Sequence, residues 1–242
     1  MNAMVRPHNL TVRFGDKAAL SDVSFACAVG EFTAVLGVNG AGKSTLFSVL
    51  TGLLRPSGGS VEFDGVDQAA PGRAVRAMTG VVFQEPTLDL DLTVAQNMRY
   101  FAALHGLPRT RARERIQFCL EQLGMAERAS EKVRVLNGGH RRRMEIARAL
   151  IHEPKILLLD EPTVGLDVTT RRAITDHVHA LARGGMCVLW ATHLVDEIEP
   201  DDHVVLLHKG RVVADGAASV VGGNGGLRDI FEKLPRDDDA LA

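Results

Sequence analysis

The chain has 242 residues, 28 Lys and Arg against 30 Asp and Glu, a formal net charge of −2 and 45% hydrophobic residues. Those proportions belong to a folded domain with a sizeable core, and they exclude a disordered chain, a fibre and a small disulfide scaffold. The charge balance argues against a protein whose main work is coating nucleic acid, and no run reaches the roughly 20 apolar residues of a membrane span.

The opening segment MNAMVRPHNL lacks the apolar stretch of a secretory leader. Residues 10–14 alternate apolar and polar, 15–16 turn, and 23–25 alternate again, which predicts two short strands. EFTAVL at 31–36 predicts another strand, followed by a Gly-rich loop and a helix over about 43–51. Pro56-Ser57-Gly58-Gly59 breaks the chain before a strand at 60–63 and a turn at Asp64-Gly65, and 81–83 is a short strand leading to Gln84.

The middle differs in kind. Residues 93–123 carry helical periodicity, and Pro108-Arg109-Thr110 predicts a helix start with Thr110 as its N-cap. The stretch from about 85 to 150 therefore reads as a helical insertion between strands. Continuous Ile and Leu at 155–159 predict a strand buried on both faces of a parallel sheet. A helix over 168–182, a strand over 186–191 and a hairpin across Lys209-Gly210 follow. The glycines at 222–226 predict a flexible joint, and RDDDALA a solvated tail. The expected organisation is one domain over 5–220 and a flexible segment over 221–242. Strand–helix alternation predicts an α/β fold with a mainly parallel sheet and helices on both sides.

Cys27, Cys119 and Cys187 are odd in number and widely spaced, and read as reduced thiols. His177 and His179, two apart on a helix, point to different faces and do not suit a zinc site.

The chemistry concentrates in five places. Gly37-Val38-Asn39-Gly40-Ala41-Gly42-Lys43-Ser44-Thr45 matches G-x-x-x-x-G-K-[ST] between an apolar strand and a helix. Its glycines let backbone N–H groups surround phosphates, and the helix N-terminus favours their charge. Lys43 is expected to reach the β- and γ-phosphates, and the Ser44 hydroxyl to ligate Mg²⁺. The strand at 156–159 ends in Asp160 and Glu161, at the sheet edge where open α/β folds bind ligands. Asp160 suits the Mg²⁺ shell, and Glu161 suits polarisation of an attacking water. Gln84 ends a short strand and suits contact with Mg²⁺ or the water. His193 follows the strand Val188-Leu189-Trp190-Ala191 and suits the γ-phosphate, whereas Trp190 reads as core. Leu136-Asn137-Gly138-Gly139-His140 precedes a basic helix, and on composition alone reads as a helix cap followed by a solvated face.

Taken in order, GVNGAGKST, Gln84, LNGGHRRRMEIARAL, ILLLDEPTVGLD and His193 resemble the ATP-binding subunit of an ABC transporter, over about residues 10–216. The resemblance implies a P-loop NTPase with an N-terminal antiparallel β subdomain and an inserted α-helical subdomain. It implies that Phe14 stacks on adenine, that Gln84 senses Mg²⁺ and abuts a membrane subunit, and that Leu136–His140 is the signature segment. It also implies that Asp167 is a dimer contact and His193 a switch histidine. Two such subunits would close head to tail on ATP and Mg²⁺ and drive a transmembrane permease on another chain, from the cytoplasmic face of the inner membrane. A single short cassette favours a homodimer. It also sets the chain apart from two-cassette translation factors and from chromosome relatives with a long coiled coil, so no nucleic-acid partner is expected. LNGGHRRR with VVFQEPTLDLDLTV and WATHLVDEIEPDD further resembles subunits found with pyrroloquinoline-quinone-dependent alcohol dehydrogenase systems, near the drug-export type. LNGGH departs from the family's LSGGQ: Asn137 stands where a serine hydroxyl would meet the γ-phosphate.

Overall fold

A computed structural model describes residues 3–69 and 72–234. The first strand, β1 (Ala3–Phe14), turns through Gly15-Asp16 into β2 (Lys17–Val23), pairing Phe14 with Lys17. Both strands are longer than or displaced from the predicted pair at 10–14 and 23–25, because the hairpin starts directly after the turn. After β3 (Cys27–Ala28), β4 (Phe32–Leu36) leads through the Gly-rich loop into α1 (Lys43–Leu50). The short elements β5 (Gly58–Phe63), β6 (Val66–Asp67) and α2 (Arg73–Met78) precede β7 (Thr79–Val82). Gln84 thus lies two residues beyond its strand.

Three helices follow: α3 (Val94–Leu104), α4 (Arg109–Gln122) and α5 (Gly138–Ala149). Thr93 caps α3 with a reciprocal capping box to Gln96. Thr110 is not the cap of α4. That place falls to Pro108, and Thr110 sits in the first turn. The fixed φ of proline, here −58°, already sets the chain for helix entry. The rest comprises β8 (Ile156–Asp160), α6 (Val168–Arg183), β9 (Cys187–Thr192), β10 (His203–His208), β11 (Arg211–Ala217), α7 (Ala218–Gly222) and α8 (Gly226–Glu232).

Two sheets result. One is antiparallel, in the order β2-β1-β5-β6 with β3 on β1. The other runs β11-β10-β4-β9-β8-β7, parallel throughout except for the β10–β11 hairpin. The run Ile156-Leu157-Leu158-Leu159 explains how the second sheet is seated. Ile156 and Leu158 join the core towards the antiparallel sheet and α1, while Leu157 and Leu159 join the core towards the helical insertion. All four are fully buried, and each such side chain contributes about 1.5–3 kcal/mol. Cys27, Cys119 and Cys187 are buried free thiols, and Trp190 is fully buried.

The expected flexible segment from 221 is instead helical as far as it is described. A 3-10 turn over Gly223–Gly225 joins α7 to α8. Leu227 is buried, and Ile230, Phe231 and Leu234 pack on the main core. Burial of this apolar face outweighs the freedom of the glycines. The RDDDALA tail lies outside the described residues.

At the opposite end of the sheet from the Gly-rich loop, His203 places Nε2 2.5 Å from Asp215 Oδ1 and Nδ1 3.5 Å from Glu31 Oε1. The bond to Glu31, and then that to Asp215, hold its pKa above the ordinary histidine value despite burial. A raised folded pKa means stability that is full below about pH 6.5 and lost as pH rises through the folded value. His203→Gln is therefore expected to lower the urea midpoint more at pH 6 than at pH 8.5. An equal loss at both would show that the charge of His203 contributes nothing.

Candidate nucleotide-binding site

The carboxyl ends of the parallel strands converge. Beyond β4 lies the Gly-rich loop, beyond β8 Glu161, beyond β9 His193 and beyond β7 Gln84. A cleft of about 960 Å³ there is lined by Asn39, Gly40, Gly42, Lys43, Ser44 and Thr45, with Gln84, Glu161 and His193 across from them. Phe14 is among the residues lining the cleft and is 55% exposed.

Gly42 enters α1 with φ 108°, and a methyl there would stand 2.9 Å from Ala19 O. Only glycine fits both constraints. The Lys43 ammonium donates to Gly37 O at 2.8 Å and Val38 O at 3.3 Å, and pairs with Glu161 Oε1 at 3.1 Å. Gly37 and Val38 thus touch the lysine rather than line the cleft. Ala41 is buried, its carbonyl accepting from Gly210 N at 2.9 Å. The open N-terminus of α1, Lys43, Lys17 and Lys209 make the cleft a seat for a polyanion. Neither Lys17 nor Lys209 reads as a site residue in the sequence, where Lys209 belongs to the hairpin signal and Lys17 follows the Gly15-Asp16 turn.

Glu161 has φ 44°, in the left-handed region that costs a non-glycine residue about 1 kcal/mol or more. That turn brings Oε1 to 3.4 Å from His193 Nδ1 and Oε2 to 3.5 Å from Gln84 Nε2. Asp160, one residue earlier, is buried beneath the cleft. Burial and the Glu161 carboxylate push its pKa up to about 6, against the pull of Lys43 and Arg142. Its Oδ1 is buried without a hydrogen-bond partner among the described residues. A divalent cation would both satisfy that oxygen and relieve the repulsion, so Asp160, with the Ser44 hydroxyl and the Gln84 amide at the cleft, fits Mg²⁺.

Leu136–His140 lie elsewhere. Leu136 is buried. Asn137 caps α5, its Oδ1 accepting from His140 N at 2.8 Å. Gly138 and Gly139 open the helix, and a methyl on Gly139 would stand 2.6 Å from Thr170 Cγ2. The pKa of His140 is lowered by burial and by the Arg128 and Arg143 guanidiniums. Asp167 caps the neighbouring α6, and the Thr170 N–H and hydroxyl hold its carboxyl below the usual range. The segment and Asp167 thus form one neighbourhood, and none of these residues lines the cleft.

The helix α5 is not a solvated basic face. Arg142, Glu145 and Arg148 are buried. Arg142 pairs with Glu145 at 2.8 Å and donates to Phe83 O at 2.7 Å and Gln84 O at 3.0 Å. Glu145 accepts from Thr87 N at 2.9 Å, and Arg148 donates to Thr87 O at 2.9 Å. Burial lowers the pKa of both arginines and raises that of Glu145, more than their mutual attraction compensates. The trio fixes the backbone that carries Gln84. The spacing of 142, 145 and 148 on one helix face was the available signal.

Fold and cleft together define a P-loop nucleotide-binding domain with an inserted helical arm. The chain belongs to the ABC transporter family, whose model matches residues 20–164. It is 42% identical over 207 residues to the daunorubicin resistance ATP-binding protein DrrA3 of Streptomyces coeruleorubidus, covering 85% of this chain and 66% of that one. It is 38% identical over 213 residues to the probable multidrug ABC transporter ATP-binding protein YbhF of Escherichia coli, covering 88% and 37%. The chain thus spans about two thirds of the first relative and well under half of the second. Among solved structures, an ATP-binding subunit of an ABC transporter superposes with a TM-score of 0.85 at 26% identity, covering 96% of this chain and all of that one. A dimeric ATP-binding cassette in a post-hydrolysis state with ADP and Pi gives 0.78 at 28% identity, covering 88% and 98%.

Proposed function

We propose that the chain hydrolyses ATP to power a separate transmembrane permease, closing head to tail with a second copy of itself at the cytoplasmic face of the inner membrane. The observation that carries this reading is the division of the site. Lys43, Glu161, His193 and Gln84 share one cleft, while Leu136–His140 and Asp167 lie outside its lining. A second subunit, presenting its signature across the first one's cleft, would complete each site. None of the described helices is long and apolar enough to cross a membrane, which fits a pathway carried by another chain.

In this reading the Gly37–Thr45 loop and Lys43 bind the triphosphate, and Phe14 stacks on the base. Ser44, Asp160 and Gln84 hold Mg²⁺, which when bound offsets phosphate charge. Glu161 orients the water and draws its proton, and His193 faces the γ-phosphate and supports the developing charge. The deciding experiment is co-purification from detergent-solubilised native membranes with partners identified by mass spectrometry. A polytopic membrane protein in comparable amount is expected. Recovery only with ribosomes, DNA or no partner would overturn the proposal.

Asn137 suits the signature role in its own way. Its Oδ1 is engaged in the cap, which leaves the amide NH₂ as the group that would donate to a partner's γ-phosphate. The Gly138 and Gly139 N–H groups remain beside it. Asn137→Ser is therefore expected to change steady-state turnover by no more than roughly tenfold, about 1.4 kcal/mol. A dead wild type revived by that substitution would refute the retained role.

A further inference from the structure

Glu197 lies within WATHLVDEIEPDD but carries none of the site roles given above. It ends the 3-10 turn Val195–Glu197 and is 2% exposed. Its Oε1 accepts from the Thr163 hydroxyl. Its Oε2 accepts from Trp190 Nε1 at 2.9 Å and from the Thr192 hydroxyl at 2.5 Å. The Thr192 oxygen in turn accepts from Leu194 N at 2.9 Å. A buried carboxylate costs several kcal/mol unless its oxygens are satisfied, and here three neutral donors satisfy both oxygens, which an amide, an acceptor at one end only, could not accommodate.

The donors' positions explain the arrangement. Thr163 lies two residues beyond Glu161, and Thr192 directly precedes His193. One carboxylate therefore holds the two loops whose side chains meet at 3.4 Å. Glu161 sits in a left-handed conformation that its surroundings must maintain.

We propose that Glu197 is a positioning residue for ATP hydrolysis: by pinning the Thr163 and Thr192 hydroxyls it keeps Glu161 and His193 in mutual register. The proposal rests on the hydrolytic roles assigned to those two residues. A misplacement near 1 Å at a reacting group can cost about a hundredfold in rate, so the loss of one pin should be visible in kcat.

The test compares Thr163→Ser with Thr163→Val in the full chain, with Glu197→Gln as the direct variant. Valine matches threonine in volume but cannot donate, whereas serine donates but leaves a gap. Readouts are kcat, KM and Kd for ATP, and the emission of Trp190, the chain's one tryptophan, whose N–H is bonded to Glu197 itself. Thr163→Ser should keep turnover within about threefold, while Thr163→Val and Glu197→Gln lose about tenfold or more in kcat with ATP Kd changed by less than about threefold. The response of Trp190 to MgATP should persist in the serine variant and vanish in the other two.

If the site served packing alone the ranking would invert, with valine outperforming serine. That result, or kcat and affinity falling together, overturns the proposal. Should Glu197→Gln not fold, the Thr163 pair decides alone. A wild type whose turnover Glu161→Gln leaves intact would sink the hydrolytic reading instead. The Trp190 response would then still decide whether the pin exists: lost in valine and kept in serine supports it, alike in both overturns it.

Discussion

Glu161→Gln is expected to cut steady-state ATP turnover by roughly a hundredfold or more while ATP binding is kept or strengthened. A positioned base contributes about 10²–10⁴-fold in rate, and a carboxamide of the same shape cannot take a proton from water. Two charge effects act on binding in the same direction. Glu161 Oε1 pairs with Lys43 Nζ at 3.1 Å, so neutralising it frees the ammonium for the β- and γ-phosphates. Removing a carboxylate from the cleft also removes its repulsion of the triphosphate. Phosphate release and ATP affinity, measured on the same preparation, separate the two consequences. Turnover within threefold of wild type would remove Glu161 from the base role and leave the cleft a binding site with its chemistry elsewhere. Loss of turnover together with loss of ATP affinity would mean that the variant had damaged the loop rather than the proton transfer.

The parts of this site that were legible in the sequence are contiguous or end a strand. The Gly37–Thr45 loop declares itself because its backbone geometry demands glycines at fixed spacing. Asp160 and Glu161 follow because four apolar residues in a row need a strand buried on both faces, which fixes where the carboxylates emerge. The residues that position those groups were not legible. Glu197 receives hydrogen bonds from residues 5, 7 and 34 positions away, and Arg142 reaches carbonyls 58 and 59 positions away. In the sequence Arg142 sits in a run of three arginines that composition reads as solvated, because burial depends on what the opposite element brings. The C-terminal helix is a different kind of miss. Leu227, Ile230, Phe231 and Leu234 keep helical spacing, and the glycines before them drew the reading towards flexibility. The apolar stripe was the stronger signal, since a short helix is stable chiefly by burying such a face.

Arg142→Ala is expected to cost about 3–5 kcal/mol, because it removes the cation that pairs directly with the buried Glu145 and leaves only the more distant attraction of Arg148. Glu145 is 2% exposed and would keep only Thr87 N among the hydrogen bonds described for it. At roughly 2–4 °C per kcal/mol for a chain of this size, the melting temperature should fall by about 10 °C. The loss also frees Phe83 O and Gln84 O, so the stretch carrying Gln84 keeps only its ties at Thr87 to the helix that begins at Gly138. Arg142→Lys distinguishes the two consequences. A lysine ammonium restores a charge for Glu145 but lacks the planar fork that serves two carbonyls and a carboxylate together. Most of the lost stability should therefore return in Arg142→Lys, while ATP turnover stays well below wild type. A double substitution with Glu145→Gln should recover part of the stability lost in Arg142→Ala, since it removes the stranded charge. A fall in melting temperature below about 2 °C for Arg142→Ala would mean that water reaches Glu145 once the arginine is gone. Full turnover in Arg142→Lys would mean that the pair's charge, rather than its hold on Gln84, is what the helix contributes to the site.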